Sequence, residues 1–136
     1  MTLAPTTTTL DLYLEACKNA MNAGMNNKPT PISVVRVGLD DKPLPNEVPS
    51  IVMEGLCGFA WVTIRPARGK FVTFLKGIEI GRPGYYGGYE ISTNVIERET
   101  GVNFGQSYER KMAAAEAFAA TLQAWGINAV AEGRLD

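Results

Sequence analysis

The chain has 136 residues, of which 46% are hydrophobic and 20% charged, and its formal net charge is −1. A chain of this length fits one domain, which on folding removes roughly two-thirds of its unfolded surface from water without disulfide or metal staples. The composition excludes a disordered, collagen-like or coiled-coil protein. The near-zero charge argues against a protein that coats nucleic acid through bulk electrostatics, so any nucleic-acid contact needs a local basic patch.

The first 50 residues predict a helix, a strand and a loop. Apolar residues recur at helical spacing over residues 10–21, after the candidate N-caps Thr8 and Thr9. The β-branched stretch 32–37 predicts a strand. The following segment, DDKPLPNEVPS, contains three prolines and four charges, which is typical of a surface loop.

Residues 52–65, VMEGLCGFAWVTIR, are the most informative segment. Even positions suit a core face, and odd positions carry Phe59, Trp61 and Arg65. A strand that is apolar on both faces is typical of a central strand covered on both sides. An aromatic face that turns basic also fits an open platform for stacking bases. The sequence leaves these two alternatives open.

The remaining segments complete the element order. Residues 70–77 predict a short helix that ends at Gly77, although FVTF also has strand propensity, and residues 89–95 predict a strand. Ser107 is a natural N-cap for a helix over residues 108–125, and residues 127–131 predict a last strand before the polar tail EGRLD.

The order α-β-β-α-β-α-β predicts an α+β fold, with a mixed β-sheet of about four strands and helices packed mainly on one face. We interpret residues 1–136 as a single domain. Within it, residues 52–136 form a core β-α-β-α-β unit, and residues 1–50 are an addition to that unit.

The residue types give little support to metal, cofactor or catalytic chemistry. Two cysteines, Cys17 and Cys57, match no ligand spacing, and we interpret both as buried thiols. The chain has no histidine, which excludes Ser-His and Cys-His pairs. The acids form no recognisable catalytic pair, and the turn GRPGYYGG is not a phosphate-binding P-loop. We therefore expect no metal, no cofactor and no enzyme.

A basic and aromatic run is the strongest binding signal. Five cations fall within eighteen residues that contain one acid, and two tyrosines follow; the cations are Arg65, Arg68, Lys70, Lys76 and Arg82, and the tyrosines are Tyr85 and Tyr86. Cations interleaved with aromatics suit phosphate contact and base stacking. The alternative is a solvated helix face and a tyrosine-rich turn that packs on its own domain.

The start of the last helix gives a second signal. The N–H groups after Ser107 are open to an anion, and Arg110 and Lys111 lie where the helix dipole disfavours cations. A phosphate or a partner's carboxylate would fit there. The candidate binding residues, which we expect to form one surface, are Arg65, Arg68, Lys70, Arg82, Tyr85, Tyr86, Ser107, Arg110 and Lys111.

Four sequence blocks, GFAWVTIRPARGKF, GYYGGYEI, QSYERKMAAAEAF and GINAVAEGRLD, resemble a group of small, uncharacterised proteins of bacteriophage genomes. The resemblance covers about residues 57–136. It implies a phage origin and no mechanism. The residues that it picks out overlap the candidate set: Arg65, Pro66, Tyr85, Tyr86, Gly87, Gly88, Gln106, Ser107, Arg110 and Lys111.

The leading functional hypothesis is a non-enzymatic, phage-encoded binding protein of the host cytoplasm, a host-takeover or anti-defence factor. Its partner would be nucleic acid or a host protein with an acidic patch, and no segment is long and apolar enough to predict a membrane span. One alternative is a virion or assembly protein that forms homo-oligomers. Another is a small enzyme acting on a phosphorylated ligand, for which Glu97 and Glu99 would be the acids to test.

Overall fold

The computed structural model describes residues 8–42, 44–45 and 48–136. It has helices α1 (Thr9–Asn26), α2 (Lys70–Gly77), α3 (Thr93–Thr100) and α4 (Tyr108–Gln123), and strands β1 (Ile32–Val34), β2 (Ser50–Val52), β3 (Gly58–Ile64), β4 (Arg82–Pro83), β5 (Tyr89–Ser92) and β6 (Ala129–Leu135). Within these ranges, none of the helices has the length and apolar character needed to cross a bilayer.

Four strands form the main sheet in the order β4-β5-β3-β6, and β1 and β2 form a separate two-stranded ribbon. The succession β3, α2, β4, β5, α4, β6 is a split β-α-β arrangement, with α3 inserted before α4. The expected α+β fold, with about four strands and helices packed on the sheet, is confirmed. The strand pairs are antiparallel rather than mixed in direction.

One face of β3 lies in the core. Ala60, Val62 and Ile64 are each at most 3% exposed and share a buried cluster with residues of α1, α2, α3 and α4. Small residues let α4 approach this face closely. A Cβ added at Gly133 of β6 would lie 2.5 Å from the Met112 sulfur and 2.7 Å from the Tyr108 ring, so a larger residue would force these α4 side chains to shift.

Helix α1 packs along α4 and contributes to the same core. It begins with a capping box, in which Thr8 and Asp11 exchange side-chain to backbone hydrogen bonds. Its apolar stripe, including Tyr13 and Ala16, is buried in the cluster that holds the β3 residues. The Asn19 amide also donates to the Thr121 hydroxyl of α4 at 3.0 Å.

Several element boundaries differ from the sequence prediction. The strand predicted over residues 32–37 ends at Val34, and only Gly58–Ile64 of the segment 52–65 form β3. The strand predicted over residues 89–95 ends at Ser92, whose hydroxyl accepts from the Asn94 N–H and caps α3. The β-branched Thr93 and Val95 concealed this helix start. The last strand continues through the predicted polar tail to Leu135, since its charged side chains lie on the face away from the core.

The two cysteines have different environments. Cys17 is a buried free thiol, and burial raises its pKa to about 12. Cys57 is exposed, so the prediction that both thiols are buried was wrong for this residue. Cys57 directly precedes β3, where its backbone forms an isolated bridge with Ser107 and its side chain remains at the surface.

Candidate functional site

The second face of β3, which we call the open face, carries aromatic side chains outside the core. Phe59 is 43% exposed and Trp61 is partly exposed, and neither belongs to the buried cluster. Register places Phe59 beside Arg134 and Trp61 beside Glu132 of β6. Of the two alternatives for this strand, the open platform describes its first half, and the neighbouring Thr63 is buried.

Charged side chains surround these rings. The Arg134 guanidinium carbon and the Lys111 Nζ each lie 5.4 Å from the centre of the Phe59 ring, within cation–π range. The Trp61 indole N–H donates to Glu132 at 3.2 Å, and Arg65 forms an ion pair with Glu132 at 3.4 Å. These contacts hold the two rings in place at the surface of the sheet.

A groove of about 270 Å³ lies where β3 ends and α2 begins. We call it the cation groove, because three of the predicted cations line it: Arg65, Arg68 and Lys70. Gly69, the N-cap of α2, forms no side-chain capping bond, and Phe71 and Val72 of the first turn of α2 also line the groove. No ion-pair partner is found for Arg68 or Lys70 among the described residues. The cations and helix N–H groups together suit a phosphate.

Tyr85 and Tyr86 form the tip of the turn between β4 and β5, which we call the tyrosine tip. They are 91% and 88% exposed and contact each other edge to face, with ring centres 4.8 Å apart. Hydrogen bonds between Gly84, Gly87 and Gly88 close the turn beneath them. The alternative that these tyrosines pack on their own domain does not hold, because so little of either side chain is buried.

The tyrosine tip and the cation groove lie at the same end of β3. A Cβ at Gly88 would lie 3.0 Å from the Arg65 side chain, so the turn passes close to the strand end. Arg82, also in the predicted set, is mostly exposed and pairs with Glu90 at 3.5 Å in the neighbouring strand. These predicted residues are therefore brought together.

Ser107, Arg110 and Lys111 lie at the opposite end of β3. The residues just before Gly58 pair with this helix start: the Tyr108 N–H donates to the Leu56 carbonyl at 2.9 Å. Since β3 spans about 20 Å, the expected single surface is divided into two groups.

The start of α4 is already occupied by contacts within the chain. Ser107 is the N-cap, as predicted, and its hydroxyl accepts from the Arg110 N–H. Lys111 is 6% exposed, and its ammonium donates to the Gly58 carbonyl at 3.0 Å. The Lys111 ammonium therefore ties α4 to β3, and fewer groups remain there for an external anion than the sequence indicated.

Two charged residues of the open face, Glu132 and Arg134, were not singled out from the sequence. Their signal was present in the alternation of the EGRLD segment, which places Glu132 and Arg134 on one face of an extended strand. Interpreting this segment as a tail concealed that pattern.

The arrangement of possible metal ligands and the comparison with known proteins give no assignment for these features. In the described parts of the chain, no group of three or more cysteine or carboxylate side chains is placed to hold a metal ion. The open face, the cation groove and the tyrosine tip have to be interpreted from their own chemistry, because no protein-family model, curated protein or solved structure matches the chain.

Proposed function

We propose that the protein binds single-stranded nucleic acid across the open face, the cation groove and the tyrosine tip, and is not an enzyme. With the bacteriophage resemblance, we infer a host-takeover or anti-defence role in the host cytoplasm. The observation that carries the proposal is the placement of exposed aromatic rings on β3 and on the neighbouring turn, with the cations Arg68 and Lys70, unpaired among the described residues, just beyond the end of that strand.

Exposed aromatic rings support base stacking. Every base has a π-face, and stacking on a protein ring contributes about 1–3 kcal/mol per base without sequence preference. Phe59 and the tyrosine tip present ring surface that folding leaves uncovered, since their exposed fractions are 43%, 91% and 88%. Large aromatic side chains are enriched where surfaces bind partners rather than water.

The cation groove supports phosphate contact. Arg68 and Lys70 carry their charges beside the uncapped start of α2, where helix N–H groups favour an anion. Arg65, the third cation of the groove, and Arg82 are by contrast paired with the carboxylates of Glu132 and Glu90. We therefore assign affinity mainly to stacking and a small number of phosphate contacts.

A titration of labelled oligothymidine of about 15 nucleotides, followed by fluorescence anisotropy, tests the proposal. We expect a micromolar dissociation constant and weaker binding to a duplex of the same length, whose bases are already stacked. Three phosphate contacts would give a slope of about −2 in a plot of log affinity against log salt concentration.

Two matched variants distinguish a phosphate contact in the cation groove from the effect of removing any positive charge. Lys70→Gln should make the salt slope less negative by about 0.7, the contribution of one phosphate contact to a single strand. Lys18→Gln removes the same charge from an exposed position of α1 in the helical layer and should leave the slope unchanged. Absent binding, salt-insensitive binding or equal binding of duplex and single strand would each refute the proposal.

A further inference from the structure

The two edges of the main sheet differ in how they are protected. The β4 edge consists of Arg82 and Pro83, and such a short, proline-containing strand offers little for another chain to pair with. The β6 edge runs over Ala129–Leu135, in continuous register with β3 and without a bulge or a proline. A long regular edge is a template for pairing with another strand.

The alternation of backbone hydrogen bonds between β6 and β3 identifies which backbone groups of β6 point away from the sheet. The Asp136 N–H donates to the Cys57 carbonyl at 3.0 Å, and the Arg65 N–H donates to the Asn128 carbonyl at 3.1 Å. Even-numbered residues of β6 therefore direct their backbone groups towards β3, and odd-numbered residues direct theirs outwards. The odd-numbered Ala129 follows this alternation, because its carbonyl accepts from the Gln123 side chain at 2.6 Å rather than from β3.

The outward groups of Ala131, Gly133 and Leu135 have no hydrogen-bond partner in the described part of the chain. Unpaired backbone groups along a sheet edge are satisfied by water or by another strand. Leu135 is also 52% exposed, although its side chain lies on the helix-covered side of the sheet. The edge thus offers hydrogen-bonding groups together with an uncovered apolar side chain.

We propose that a second copy of this chain pairs with β6 in an antiparallel manner, about a two-fold axis at Gly133. Hydrogen bonding requires odd-numbered residues of one copy to lie opposite odd-numbered residues of the other, which axes at odd-numbered and at even-numbered residues both satisfy. An axis at Glu132 or at Arg134 would place that residue opposite its own copy, so like charges would face each other. Centring on Gly133 forms hydrogen-bonded pairs between Gly133 and its copy and between Ala131 and the Leu135 of the second copy. This pairing also covers Leu135.

Charge selects this register. With Gly133 at the axis, Glu132 of each copy lies opposite Arg134 of the other in the non-hydrogen-bonded pairs, where side chains are closest. With Ala131 at the axis, Glu132 would lie opposite Val130 and no such ion pair would form. The resulting dimer joins two four-stranded sheets edge to edge and places both open faces on one continuous surface.

A charge-swap experiment tests the register. Sedimentation equilibrium of the wild-type chain over a concentration series should show a species of twice the 14.7 kDa chain mass. Arg134→Glu and Glu132→Arg each place like charges opposite one another twice per dimer, so each alone should weaken dimerisation by about tenfold or more. An equimolar mixture of the two variants restores opposite charges at both positions and should form heterodimers.

Circular dichroism checks that each variant folds, and Arg82→Glu at the opposite edge serves as the charge-matched control, which should dimerise as the wild type does. A wild-type chain that remains monomeric up to about 100 µM, a concentration at which weak specific dimers are populated, would overturn the proposal. So would single variants that dimerise normally, or a mixture that fails to recover the dimer.

Discussion

The two faces of β3 differ in burial: one packs against the helices, and the other carries exposed aromatic side chains. Towards the helices, Ala60 and Val62 are nearly inaccessible to water, and small residues let α4 lie close to the sheet. On the open face, the Phe59 side chain is larger than Ala60 or Val62, and 43% of its surface is exposed to solvent. Large exposed rings at these positions are the basis of the proposed binding surface.

The comparison separates stability from binding. Substitutions on the helical side should change the free energy of unfolding, since buried side chains there lose packing. Substitutions on the open face and at the tyrosine tip should change affinity for single-stranded nucleic acid and leave folding nearly intact.

Phe118→Ala should cost about 3–5 kcal/mol in the free energy of unfolding, because it removes a ring from the centre of the core. Phe118 lies on α4 and is fully buried against the helical face of the sheet. Urea denaturation followed by circular dichroism measures the effect. A loss below about 1 kcal/mol, the range of ordinary surface substitutions, would mean that the core is not centred where α4 meets β3.

Lys111→Met should cost about 1.5–3 kcal/mol in stability, since it removes a charge-assisted hydrogen bond to the Gly58 carbonyl. Methionine keeps the apolar stem, so the change isolates the ammonium group. Urea denaturation and oligothymidine binding are measured on the same variant. If affinity falls while stability is unchanged, Lys111 belongs to the binding surface, as the sequence indicated.

Alkaline pH should destabilise the helical layer. The Cys17 thiol has a folded pKa of about 12, and in the unfolded chain it ionises near pH ~8.5. Burial, together with the nearby Cys17 and Glu99, also raises the pKa of the Tyr13 hydroxyl. Above the unfolded values, only the unfolded chain releases these protons, so ionisation favours unfolding.

For Cys17, this contribution to stability is fully present below about pH 8.5 and is lost at roughly 1.4 kcal/mol per pH unit as the pH rises towards 12. Urea midpoints between pH 8 and pH 10 measure it. Cys17→Ala should flatten the first part of the decline. A midpoint that does not fall above pH 9 in the wild-type chain would show that the thiol ionises in the folded state.

The double variant Tyr85→Ala, Tyr86→Ala should change stability by less than about 0.5 kcal/mol, because both side chains are almost fully exposed. It should weaken oligothymidine binding if bases stack at the tip. Replacing both tyrosines by phenylalanine keeps the ring faces and serves as the control. Equal losses in both double variants would assign the effect to the hydroxyl groups rather than to stacking.

Local chemistry made much of the fold predictable. Thr8 was one of two candidate N-caps for α1, and Ser107 was identified as the N-cap of α4 from its residue type and position. The alternation around Val62 identified the core face of β3. Helix α3 was missed because its first turn holds Thr93 and Val95, which favour strands when judged alone. Tertiary packing, absent from local propensity, decided that segment.

The candidate site was only partly predictable for a related reason. Arg68, Lys70 and Tyr85 are close in sequence, so a local run was enough to suggest that they act together. Lys111 lies apart from these three residues because the start of α4 packs against the opposite end of β3. That depends on a contact between residues 53 positions apart, the Lys111 to Gly58 hydrogen bond. Arg134 was missed because its relation to Phe59 depends on strand pairing.

Phe59→Ala distinguishes a binding role of the open face from a structural one, with stability and affinity measured on one protein sample. If the open face binds single strands, oligothymidine affinity should fall about five- to 150-fold, corresponding to the loss of about 1–3 kcal/mol of stacking. The free energy of unfolding should change by less than about 1 kcal/mol, since the ring lies outside the core. Unchanged affinity, or a loss of stability comparable to that of Phe118→Ala, would contradict the account.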